Sequence, residues 1–286
     1  MEDVASGDGS EDAEDQERQA AAQTHDPSAG HDARDPRGDE PDQEEADELP
    51  LHGGFTMTDM DLGPPIARGR AADVYAYRDG LVLRRYRTPV FLMYEAAAMQ
   101  HVAAHEYPVP RVVEASGPDL VMERLDGPTL LADLSKRPWR LFRHAATIAD
   151  LLHRLHEVPP PEWLLSKHAD NRTIVHLDLH PDNVMLTSRG PVVIDWSNVG
   201  VGDPDTEVAD LWLVMKAAKV SGGAIDKIVA ALGRGLFVRA LLSHFDKRAV
   251  SRKLSEAFAN RSRDRNMSEA ELAEMRRLVE RYGGSA

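Results

Sequence analysis

The spacing of apolar residues changes character near residue 126, and that change limits what this chain can fold into. Before it, apolar residues fall in short β-prone runs. Asp73 to Tyr77 and Leu81 to Tyr86 flank "RDG", a hairpin turn signal, and residues 110–125 hold two more runs around Gly117-Pro118. Only residues 89–107 read as a helix there, with Phe91, Tyr94, Ala98 and Val102 at three- and four-residue spacing. After it, the helical period takes over. Residues 138–159 carry one stripe of Leu141, Ala145, Ile148, Leu152 and Leu155, on which His153 and His156 read as helix-face residues. A short strand at 191–196 is followed by helical stretches at 204–220, 224–241, 243–260 and 268–282. Strands first and helices after predict an α+β chain of two lobes with a cleft between them. The smaller lobe spans 58–125 and the larger 126–286.

Residues 1–57 precede both lobes and read as a disordered acidic tail. Of 48 Asp/Glu and 34 Lys/Arg in the chain, 18 and three fall within residues 1–50, which leaves 30 and 31 for the remainder. The net charge of −14 therefore belongs to the tail. Lacking aromatics, residues 1–50 cannot bury enough surface to offset the entropy of ordering them. They show no basic region followed by an apolar run, so they do not read as a signal peptide. No apolar run reaches membrane-spanning length. The absence of cysteine excludes disulfides, thiolate catalysis and Cys-ligated zinc. A soluble cytoplasmic protein is expected, with no nucleic acid or membrane partner; oligomeric state is not legible.

The densest polar cluster is "TIVHLDLHPDNVML", residues 173–186. His176 and His180 have the four-residue spacing of a helical zinc pair, but Pro181 argues against a helix through them. A surface turn at "HPDN" is the plainest alternative. The next segment favours a third reading over both. "NVMLTSRGPVVID" reads as strand, turn and strand, so a hairpin returns Asp195 beside Asn183. One carboxylate and one amide oxygen suit Mg²⁺ shared with substrate phosphates. Asp178 is then free to act on a nucleophile, as phosphoryl transfer requires.

"HLDLHPDNVML" followed by "VVIDWSNVGVGDPDTEVADLWL" resembles the aminoglycoside phosphotransferase/choline kinase branch of the protein-kinase-like fold. "GRAADVYAY", "PVPRVV" and "LHRLH" extend the likeness over roughly residues 60–215. The resemblance implies a two-lobed fold, ATP and Mg²⁺ as cofactors, and a small hydroxyl-bearing substrate. It implies that Asp178 orients or deprotonates the acceptor hydroxyl, with Asn183 and Asp195 as Mg²⁺ ligands. His176 would buttress the catalytic loop, Asp210 would hold that loop's backbone, and His180 would shape it. Met122, Glu123 and Arg124 would offer backbone groups to adenine, and Val82 would cover the purine. Two residues on from Val82, Arg84 stands where the family usually has lysine, with Glu95 as its partner. Gly69 is the single glycine of a thin phosphate-covering loop.

Three readings follow: an active small-molecule kinase, a pseudokinase that binds nucleotide or a partner without turnover, and a protein kinase. The last lacks an A-P-E segment after Asp195. Among kinases, an aminoglycoside acceptor needs a field of carboxylates, whereas residues 223–286 hold 13 Lys/Arg against eight Asp/Glu. A neutral or mildly charged hydroxyl metabolite is therefore expected, with Asp203, Asp205 and Glu207 available at the cleft mouth for a single amine.

Overall fold

Alternation of side chains along a strand and the turns that join strands account for the first lobe. The computed structural model describes residues 62–69, 71–87, 92–167, 172–217, 224–263 and 267–283, with backbone alone at 224–231. The expectations for residues 1–57 and for Phe91 lie outside the described residues. Five strands, β1 (Ala67–Arg68), β2 (Ala72–Ala76), β3 (Leu81–Tyr86), β4 (Val112–Ser116) and β5 (Asp119–Glu123), form one antiparallel sheet in the order β1-β2-β3-β5-β4. The "RDG" turn closes the β2–β3 hairpin: Leu81 N–H donates to Arg78 O, and Gly80 takes φ +73°, which a side chain would strain. Helix α1 (Leu92–Ala104) packs against β4 and β5. Its buried face is Leu92, Glu95, Ala96, Ala98, Met99 and Val102. Tyr94 of the expected stripe stands outside that face, near the Trp163 ring.

Gly127 marks the crossing between lobes. Its φ is +142° and an added Cβ would lie 2.1 Å from Leu186 O, so only glycine passes there. Helix α2 (Leu130–Lys136), which the sequence reading missed, follows at once, capped by Thr129 Oγ1 accepting from Ala132 N–H. Helix α3 (Leu141–His156) buries the whole predicted stripe, with Ile148, Leu152 and Leu155 fully covered.

Two small antiparallel pairs then carry the polar cluster: β6 (Thr173–Val175) with β9 (Gly200–Gly202), and β7 (Val184–Thr187) with β8 (Gly190–Val193). The expected strand at 191–196 ends at Val193, so Asp195 lies beyond it. Helices α4 (Pro204–Ala217), α5 (Ala224–Leu242), α6 (Lys247–Arg261) and α7 (Glu269–Tyr282) complete the lobe. Helix α4 is its axis, buried through Thr206–Leu213 and packed against α5, α6 and α7. No helix among the described residues is long and apolar enough to cross a membrane.

Candidate active site at the cleft between lobes

Loop 176–183 leaves β6 and is held from both sides by buried groups. The His176 ring is fully buried and bridges two backbones: its Nδ1 accepts from Asp178 N–H at 3.2 Å and its Nε2 donates to Ile194 O at 3.1 Å. Those two roles fix the neutral tautomer, and burial pulls the imidazole below its usual pKa. With both ring nitrogens engaged, His176 cannot serve a zinc pair with His180. Among the described residues no three His, Cys, Asp or Glu side chains gather as a metal set. His180 instead caps the 3-10 turn Pro181–Asn183, accepting from Asp182 N–H at 3.2 Å.

The β7–β8 hairpin brings the residue before Asp195 against Asn183: Ile194 N–H donates to Asn183 O at 3.0 Å. Asn183 Nδ2 donates to Asp178 O at 2.9 Å and to Asp178 Oδ2 at 3.2 Å. Its Oδ1 accepts nothing among the described residues. Asp195 sits at φ +64°, a left-handed conformation that a non-glycine residue adopts at a cost. Its Oδ1 accepts from Arg84 at 2.6 Å and Ser197 at 3.0 Å, while Oδ2 accepts nothing among the described residues. Burial opposes the Asp195 carboxylate, but Arg84 and Ser197 outweigh it and hold its pKa below the usual range. An amide oxygen and a carboxylate oxygen that accept nothing among the described residues are hard donors, of the kind that suits Mg²⁺.

From the first lobe, Arg84 reaches both carboxylates. Its Nη1 donates to Glu95 Oε1 at 2.9 Å and its Nη2 to Asp195. Tyr86, two residues on and on the same strand face, donates its hydroxyl to Glu95 Oε2, and the Arg84 guanidinium lies 4.8 Å from its ring centroid. Arg85 points the other way and pairs with buried Asp119 at 2.7 Å. Val82 is buried on the Arg84 face. Gly69 lies in the β1–β2 turn, its N–H donating to Ala72 O at 2.8 Å.

The hinge needs a correction. The N–H groups of Glu123 and Arg124 donate to Arg111 O and Gly80 O, both at 2.9 Å, and Met122 pairs with Val82 and Val112 inside the sheet. The first N–H after β5 that donates to nothing among the described residues is that of Leu125.

The carboxylates of α4 also exchange roles. Glu207, not Asp210, holds the loop backbone: its Oε1 accepts from His176 N–H at 2.6 Å and Leu177 N–H at 2.9 Å. Its Oε2 accepts from His156 at 2.6 Å, so His156 is no helix-face residue. Burial works against the Glu207 carboxylate, yet His156 and these donors keep its pKa below normal. Asp210 takes the Arg261 fork at 2.7 and 2.6 Å, and burial pushes its carboxyl up to about 6 against that cation. Asp203 and Glu207 are buried and engaged, Asp203 with Arg172 and Lys253, so neither waits at the cleft mouth for an amine. Asp205 is partly buried, and desolvation raises its pKa. Sequence reasoning missed His156, Tyr86 and Arg261; the signal for Arg261 was its place four residues after Ala257 on the apolar stripe of α6.

Residues 63–166 and 161–244 match the profile of the phosphotransferase enzyme family (APH), more than half of the chain. A curated thiamine kinase from Salmonella paratyphi B (strain ATCC BAA-1250 / SPB7) is 39% identical over 62 residues, 18% of this chain and 23% of its own length. The chain thus spans less than a quarter of the curated relatives it matches first. The solved aminoglycoside phosphotransferase APH(4)-Ia covers 78% of this chain and 94% of its own at a TM-score of 0.52 and 14% identity, a likeness of fold alone. A choline/ethanolamine kinase family protein from Mesorhizobium loti covers 79% and 91%, with a TM-score of 0.47 and 15% identity. A sheet lobe on a helical lobe, with the polar loops between them, is the protein-kinase-like fold. With the profile matched on both sides of the cleft, from the sheet through loop 176–183 into α5, the chain belongs to the phosphotransferase enzyme family.

Proposed function

We propose that this chain transfers the γ-phosphoryl group of Mg·ATP to a hydroxyl of a small molecule. The observation that carries this reading is the convergence of Asp178, Asn183, Asp195 and Arg84, from three separate segments, on one cleft. Asp178 is oriented by Asn183 and is 24% exposed, open to an acceptor. It receives the hydroxyl proton as the new O–P bond forms and the bond from phosphorus to the ADP oxygen breaks. Asn183 Oδ1 and Asp195 Oδ2 would hold Mg²⁺, which when bound neutralises charge on the phosphates. Arg84, steadied by Glu95, contacts those phosphates. His176 stays neutral and holds the loop rather than moving a proton. Gly69 covers the phosphates and Val82 the purine, while the Glu123 carbonyl and Leu125 N–H face adenine. Use of ATP fits a cytoplasmic setting.

The acceptor is a neutral or mildly charged hydroxyl compound. Helices α5–α7 lie in the stretch with a surplus of Lys/Arg, and the buried Asp203 and Glu207 leave few carboxylates for a polycation. One observation favours a second reading, a nucleotide-binding module without turnover: Arg84 already occupies one Asp195 oxygen. The test is ADP release from Mg·ATP over a panel of thiamine, choline, aminoglycosides and polyols, beside affinities for Mg·ATP and adenosine. At least one acceptor should raise ADP release and yield a phosphorylated product by mass spectrometry. Asp195→Ala should weaken Mg·ATP and spare adenosine; equal weakening of both would make Asp195 structural. Tight Mg·ATP binding with no ADP from any acceptor or from water would hand the case to the second reading.

A further inference from the structure

We propose that Arg261, the last residue of α6, is a positioning residue that sets the Asp178 carboxylate, resting on the phosphotransfer reading above. It comes from an element beyond residue 244, where the family match ends. Helical period delivers it inward. Val250, Leu254 and Ala257 are buried against the lobe, and Arg261 continues their spacing on the same face.

Its guanidinium makes three kinds of contact at once. Nε and Nη2 clasp Asp210 at 2.7 and 2.6 Å, and Nη2 also donates to Leu177 O at 2.7 Å and stands 3.5 Å from Asp178 Oδ1. Leu177 adopts φ +59°, which a leucine keeps only when its surroundings impose it. Glu207 imposes it from the N–H side and Arg261 from the carbonyl side. The two oxygens of Asp178 then face different donors, Oδ2 the Asn183 amide at 3.2 Å and Oδ1 the Arg261 guanidinium. With both oxygens referenced, the carboxylate plane is fixed relative to the acceptor hydroxyl. A planar fork can serve Asp210 and Leu177 together, whereas a lysine ammonium has one centre to divide between them.

A plain structural role, pinning α6 to α4, predicts something different, and two variants of the full chain separate the readings. Arg261→Met with Asp210→Leu removes both buried charges and leaves an apolar pair, which such sites tolerate. Arg261→Lys keeps the charge balance and so guards against a misfolded double variant. For each, the melting temperature, the Mg·ATP dissociation constant, and kcat and KM for ADP release with the panel acceptor are compared with the parent. The expected result is unchanged Mg·ATP affinity with kcat lower by about tenfold or more in the double variant, and a smaller fall in Arg261→Lys, since a misplaced catalytic group costs up to about 100-fold. A double variant that folds and keeps its kcat within about tenfold of the parent overturns the proposal, as does an unchanged kcat in Arg261→Lys should the double variant not fold. Parallel loss of Mg·ATP affinity in both variants shows collapse of the whole site and also overturns it. A parent that binds Mg·ATP yet releases no ADP sinks the phosphotransfer reading itself, whereas an active parent with unaltered variants sinks only the role of Arg261.

Discussion

Arg84 neutralises two carboxylates from different lobes with one guanidinium, and both pairs are partly or wholly out of water. Burial alone would lower its pKa, but Glu95 and then Asp195 outweigh that and shift it upward, so the cation is permanent. Arg84→Ala removes a charged contact to phosphate, and Mg·ATP affinity should fall by about 1.5–3 kcal/mol while adenosine affinity holds. Arg85→Ala is the contrasting variant. It should spare both ligands but lower the melting temperature, because Asp119 is 1% exposed and loses its bidentate partner. Titration calorimetry with the two ligands checks the first, and thermal unfolding the second. The reverse ranking of the two variants on Mg·ATP would reject the assignment. The orientation of Arg84 was legible because strand period is two and Val82 fixed the face. The destination of Arg85 was not, since nothing in a sequence pairs it with Asp119 across the sheet.

At the scale of elements, long periodic segments were legible and short ones were not. Helix α3 declared itself through five apolar positions on one face, all of which are buried. Strands β6 and β9 have three residues each, and "GVG" carries no alternation to read, so their pairing became visible only in three dimensions. The same limit explains the exchange of Glu207 and Asp210. They stand three residues apart on one face of α4, and spacing cannot say which of them meets the loop. Helix α4 begins at Pro204, so Glu207 lies in its first turn, where it takes the N–H groups of His176 and Leu177 together with the His156 ring. Glu207→Ala leaves those donors unpaired in a dry interior and should destabilise the fold by about 3 kcal/mol or more. Glu207→Gln keeps an acceptor and should cost less. Chemical denaturation measures both, and a Glu207→Ala protein as stable as the parent would mean that the loop is held elsewhere.

At the scale of the whole molecule, the net charge is concentrated in one stretch of the sequence. Among the described residues, the partners named for the site residues all lie between Gly69 and Arg261. The expected part of residues 1–57 is electrostatic. With them, the chain carries −14; from Thr58 onward, 31 basic residues face 30 acidic ones. A chain beginning at Thr58 should therefore keep its melting temperature and its Mg·ATP affinity, because the composition of residues 1–57 does not suit a packed core. Its solubility should change. A protein near zero net charge at neutral pH loses the repulsion that keeps copies apart, and self-association rises. Light scattering across a concentration series should show earlier aggregation for the shortened chain near pH 7. Moving well away from neutral pH, where either sign of charge builds up, should relieve it. A shortened chain that melts well below the full-length protein would show that residues 1–57 contribute contacts to the fold, and the purely electrostatic account of the tail would be abandoned.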